Sequence, residues 1–109
     1  MSTPTLRWPI RVLPAILSAG HYPLDDRQFT TTYRSTTHAL HLHEYHAAIR
    51  MNHHRLTLRP GDLTLSIAEG RTQYDLEKPG HHWCIHFQPA RLTDPVIRLP
   101  WHIHAARSE

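Results

Sequence analysis

The feature that most restricts this chain is an apolar/polar alternation of period two, broken every few residues by clusters of turn-forming residues. Leu63, Leu65 and Ile67 alternate with Thr64 and Ser66, which places three apolar side chains on one face of an extended segment. Pro60-Gly61-Asp62 precedes it, with proline where φ is preset and glycine where the left-handed region is needed. Ala68-Glu69-Gly70-Arg71 follows as a second turn, then Thr72 to Leu76 as a short strand. Glu77-Lys78-Pro79-Gly80 turns again before a strand from His81 to Gln88. Upstream, Leu56 and Leu58 alternate with Thr57 and Arg59. Asn52-His53-His54-Arg55 forms a hairpin tip, because asparagine tolerates the left-handed region. Phe29 to Arg34, rich in threonine and aromatics, reads as a strand, and so does Ala39 to Met51. Leu40, Tyr45 and Ile49 would also share a helical face, but the neighbouring strands and the hairpin tip favour extended structure. Short strands at this spacing predict an all-β sandwich or barrel.

A chain of 109 residues suits one domain. Pro4, Pro9, Pro14 and Pro23 crowd its start, so residues 1–25 are expected as an extended arm, with Ile10, Val12 and Leu13 as its anchors. Residues 26–109 form the body. After Pro89 it runs into a linker-like tail with one short strand around Val96 to Leu99. With 39% hydrophobic and 19% charged residues, the composition is that of a soluble globular protein. No apolar run approaches the roughly 18 residues that span a bilayer. Arg7 and Arg11 break the N-terminal apolar residues, which argues against a signal peptide. A single cysteine, Cys84, forms no internal disulfide and suits a reducing cytoplasm. The net charge of +3 comes from eleven arginines and one lysine spread along the chain, the mark of a solvated surface rather than a nucleic-acid face. Twelve histidines add positive charge near pH 6.

Three pieces, "LHLHEYHAAIRM" at 40–51, "LRPGDLTLSIAEGRTQYDL" at 58–76 and "PGHHWCIHFQP" at 79–89, resemble the ligand-binding domain of AraC-type regulators, a branch of the cupin superfamily. The resemblance covers about half the chain. It implies a cupin-like jelly-roll barrel with an extended N-terminal arm, which binds a small-molecule effector to control transcription and forms a homodimer. No helix-turn-helix pattern is present, so DNA contact is expected only through a C-terminal domain absent from this chain. No membrane partner and no cofactor are expected, and the chain is not expected to be an enzyme.

The candidate effector-binding residues are Arg34, His41, His43, Thr72, Tyr74, His82, Cys84 and His86. His41 and His43 lie two apart and share a strand face, where two imidazoles can hold one metal ion. Metal-binding cupins add a glutamate a few residues on and a later histidine. Here Glu44 points to the opposite face, Ala47 and Ala48 stand where the carboxylate is expected, and Thr72 stands where the histidine is expected. The pair is therefore read as polar residues of a pocket wall or surface, with no metal. Around the last strand two readings stand. Periodicity puts Trp83, Ile85 and Phe87 in the core and turns His82, Cys84 and His86 away from it. The resemblance places His82 and Cys84 against the barrel cavity; the two agree if the arm or further helices cover the outer face. Relatives often carry tryptophan where Cys84 stands, which argues against a sugar effector. Tyr74 matches a cavity-lining aromatic and shares a face with Thr72 and Leu76. Arg34 matches an effector-contacting arginine whose guanidinium forks onto a carboxylate or vicinal hydroxyls. Cys84 with His82 and His86 lacks a carboxylate to orient a thiolate–imidazole pair. The competing readings are a small metal-dependent cupin enzyme, an isomerase or dioxygenase, and a stand-alone binding or dimerisation module.

Overall fold

A computed structural model describes residues 4–105. Ten strands run antiparallel through three sheets: β1 (Thr5–Pro9), β2 (Ile16–Leu24), β3 (His38–His43), β4 (Ala47–Met51), β5 (His54–Leu58), β6 (Leu63–Ser66), β7 (Thr72–Leu76), β8 (Gly80–Phe87), β9 (Val96–Pro100) and β10 (His102–Ile103). Among the described residues there is no helix, and hence none long and apolar enough to cross a membrane. The large sheet has the order β10-β6-β3-β8-β2, the second sheet β5-β4-β7, and β1 pairs with β9. The all-β, jelly-roll-like layout expected of the sequence is present.

The turns take the geometry their residues dictate. Gly61 has φ of 93°, and the Asp62 N–H donates to the Arg59 carbonyl at 3.0 Å, which closes the Pro60-Gly61 turn. Asn52 takes the left-handed region at φ 56° and joins β4 to β5, while its Oδ1 accepts the Arg71 N–H at 2.9 Å. Ala39 to Met51 is not a helix, but neither is it the single strand expected: residues 44–46 break it into β3 and β4, which lie in different sheets.

Three other local expectations fail. Phe29 to Arg34 is not a strand: Gln28 and Phe29 both have positive φ, which bends the chain out of the extended form. Only Tyr33 makes a bridge, to Thr72 of β7. Phe29 instead lies under the Arg50 guanidinium, 3.9 Å from the ring centroid. The arm is not anchored by Ile10, Val12 and Leu13, which are 54%, 38% and 90% exposed. The Pro9–Val12 turn throws them outward, and Leu6 and Trp8 on the inner face of β1 are buried instead. The tail is packed rather than free. β9 zips onto β1, and Trp101 is buried in the core with its carbonyl accepting the Leu65 N–H.

β4 shows how the core is made. Ala47, Ile49 and Met51 point inward and meet Leu58, Tyr74 and Leu76 from the flanking strands. Arg50 points out. Each such buried side chain contributes about 1.5–3 kcal/mol. Gly80 is required at the start of β8, because a Cβ there would lie 2.8 Å from the Tyr45 Cβ. That contact is close to the backbone, so it is not relieved by a rotamer change. Gly80→Ala is expected to cost about 1–3 kcal/mol in urea denaturation, and an unchanged midpoint would mean that Tyr45 is not held where it stands.

Candidate functional site

Register decides which side chains face the interior. In the large sheet His41 pairs with Cys84 and Thr64, His43 with His82, and Ala39 with His86 and Ser66. Side chains on directly paired residues share a face, so one inner wall carries four histidines, a cysteine and two hydroxyls. On the edge, β2 adds Ser18, opposite His86, and Tyr22, opposite His82. Pro23 is tolerated there because β2 pairs on one side only.

The inner wall borders a cavity of about 410 Å³. Seven of the eight expected residues line it: Arg34, His41, Thr72, Tyr74, His82, Cys84 and His86. His43 does not. It is fully buried one layer deeper. The two readings of β8 are thus resolved in favour of the cavity. His82 and Cys84 are buried against it, whereas Trp83 is 50% exposed and stacks on His21 at 4.5 Å. The apolar outer face is covered at one end only, where Trp8 of β1 packs edge-on against Phe87 at 5.5 Å. Periodicity assigned the core correctly for Phe87 and wrongly for Trp83.

A chain of short hydrogen bonds backs the wall. Thr64 Oγ1 meets His43 Nε2, His43 Nδ1 meets Tyr45 Oη, and Tyr45 Oη meets His82 Nδ1, each at 2.8 Å. Each neutral imidazole has one donor and one acceptor nitrogen, so the chain runs in one direction or the other as a unit. His82 keeps Nε2 free of it. Tyr45 was not among the expected residues; its signal was the His-x-Tyr spacing, which brings both side chains to one side. His86 Nδ1 is held by Thr37 Oγ1 at 2.8 Å. Among the described residues, two that line the cavity carry a buried polar atom with no partner, His41 at Nδ1 and Ser66 at Oγ.

Burial keeps the imidazoles of His41, His43 and His82 from taking up a proton. Burial, with His82 and His86 nearby, pushes His41 down to about 3. Burial and the neighbouring His41 and His82 push His43 down to about 2. His82 is lowered mainly by burial. Burial pushes the Cys84 thiol up to about 11, the reverse of what a nucleophilic thiolate needs. At the mouth Arg34 supplies a permanent charge, exposed and paired with Glu69 Oε2 at 3.3 Å.

The donor set does not fit the metal centre that a His-x-His strand suggests. His41 and His43 do stack on one face, with ring centroids 5.6 Å apart. Both His43 nitrogens are already bonded to hydroxyls, and no carboxylate side chain lines the cavity among the described residues.

No family model matches the chain, and no curated protein matches it. Among solved structures, the chain is similar to a protein from Ralstonia eutropha JMP134 whose name, mannose-6-phosphate isomerase, is itself a provisional assignment. The two share 14% identity with a TM-score of 0.54, over 71% of this chain and 84% of the other. At that identity the likeness concerns the fold, which is cupin-like and all-β.

Proposed function

We propose that this chain is the effector-sensing domain of an AraC-type bacterial transcription regulator, cytoplasmic and homodimeric, which binds a small polar molecule in its barrel cavity. The observation that carries the reading is the pair of unpartnered buried atoms, His41 Nδ1 and Ser66 Oγ, on the wall of a cavity of ligand size. A buried polar group without a partner costs about 1–3 kcal/mol, and a ligand hydroxyl or amide that reaches either atom removes that cost. Neutral His41 and His82 on the wall favour an uncharged polar body. Arg34, at the mouth, offers its guanidinium to a carboxylate or to vicinal hydroxyls in exchange for Glu69.

The N-terminal segment takes part through β2. Tyr22, Pro23 and Leu24 border the cavity, and the Tyr22 ring lies across Gly20, where an added Cβ would be 2.5 Å from it. Effector bound against Tyr22 favours the state in which β2 is zipped onto β8, and that preference is the signal passed on. DNA is then contacted through a C-terminal domain outside these 109 residues. Reading the gene past codon 109 tests this. A frame that continues into two helix-turn-helix units is the expected result, and a stop codon directly after Glu109 would overturn it.

A further inference from the structure

Outside the cavity, three metal-ligating side chains converge where the C-terminal strand meets the Pro60-Gly61 turn. Asp62 is fully buried. Its Oδ1 accepts the Ala105 N–H at 2.8 Å, and its Oδ2 accepts the Arg59 N–H at 3.1 Å. Two imidazoles also face Oδ2: His102 Nε2 at 2.9 Å and His104 Nδ1 at 3.2 Å. Their rings lie 4.2 Å apart, and one ligand atom from each of the three residues falls within 4.8 Å of the others.

We propose that Asp62, His102 and His104 form a binding site for a divalent transition-metal ion, zinc in the first instance, which clamps the C-terminal strand to the barrel.

Geometry and charge both support the site. Ligands at about 2.0–2.1 Å from a tetrahedral ion stand roughly 3.3 Å from one another, and the observed nitrogen-to-oxygen separations of 2.9 and 3.2 Å are close to that edge. Two imidazoles and one carboxylate are a ligand set that zinc, copper, nickel and cobalt accept and magnesium or calcium do not. The buried carboxylate has no arginine or lysine partner among the described residues, so its negative charge meets only amides and imidazoles. The site has one open side, because His104 is 59% exposed while His102 is nearly buried, which leaves room for a water as fourth ligand.

The metal would fasten a junction the fold depends on. His102 belongs to β10, which pairs with β6. The Asp62 carbonyl accepts the His43 N–H at 3.0 Å, and the His43 carbonyl accepts the Gly61 N–H at 2.7 Å. The ion would therefore tie the tail to the turn that is hydrogen-bonded to the backbone of His43, the cavity's backing histidine.

The test is a titration of the chelator-treated full chain with cobalt(II), read by visible absorption, and with zinc(II), read by thermal unfolding. The expected result is a tetrahedral d–d band that saturates at one equivalent, together with a zinc-dependent rise in Tm. His104→Ala removes a largely exposed ring with its one contact to Asp62, so its metal-free Tm should stay near that of the parent, and it should lose both signals. Asp62→Asn, which keeps the shape and removes the charge, should also lose the band. If Asp62→Asn does not fold, His104→Ala decides alone. No band at one equivalent in the parent overturns the proposal, and so does a band that survives in His104→Ala, which would place the ion on other histidines.

Discussion

On acidification below pH 6.5 the protein is expected to lose stability steeply, and to unfold in a single transition well above the pH at which carboxylates titrate. The reason lies in the interior histidines. His41 and His43 are held down to about 3 and about 2, chiefly by burial. Above pH 6.5 they are neutral in both the folded and unfolded chain and contribute no slope. Below pH 6.5 the unfolded chain takes up protons that the folded chain refuses, so stability falls by about 1.4 kcal/mol per pH unit for each histidine. The two together remove on the order of 5 kcal/mol by pH 4.5, which is comparable with the whole stability of a small domain. His82 and His38 are lowered by burial too and add to the loss. Urea midpoints measured from pH 8 to pH 4 check this. A plateau above pH 7 and a collapse below pH 6 are expected. A midpoint that stays level down to pH 4.5 would mean that these imidazoles ionise freely in the fold.

The second large effect is expected at His43. His43→Ala should cost about 3–5 kcal/mol. The substitution opens a ring-sized void, orphans the Thr64 hydroxyl and leaves the Tyr45 hydroxyl with His82 alone; the two residues are 1% and 4% exposed. Tyr45→Phe keeps the ring and removes only the oxygen between His43 Nδ1 and His82 Nδ1, so about 1–3 kcal/mol is expected. Chemical denaturation of both variants separates the contributions. If His43→Ala costs less than Tyr45→Phe, the hydrogen-bond chain does not organise the wall.

Much of the fold was legible because turn chemistry and period two are local. Pro60-Gly61-Asp62, the Asn52 tip and the strands at 63–66 and 72–76 depend on their own residues' φ preferences and alternation. What was not legible depends on partners distant in sequence. Trp83 and Phe87 have the same periodicity, yet only Phe87 is covered, because Trp8 arrives from β1 some eighty residues earlier. Phe29 looks like a strand residue until its positive φ and its place under Arg50 are known. The inner wall could be listed from alternation and resemblance together, but its depth could not. That His43 lies behind the cavity and His41 on it follows from Tyr45 and Thr64 closing over one imidazole and leaving the other without a partner. The grouping of Asp62 with His102 and His104 needed the pairing of β10 with β6.

The most direct test of the central claim, that the barrel cavity is a small-molecule site, uses the chain's single thiol. Cys84 lies on the cavity wall, 3% exposed. Its modification by methyl methanethiosulfonate can be timed in the presence of a panel of polyols, amides and small carboxylates. Slow reaction is expected in the free protein. At least one compound is expected to slow it further while raising Tm, with both effects lost when His41→Ala removes the ring whose Nδ1 lacks a partner. Reaction as fast as that of an exposed thiol, or a rate that no compound in the panel changes, would contradict it.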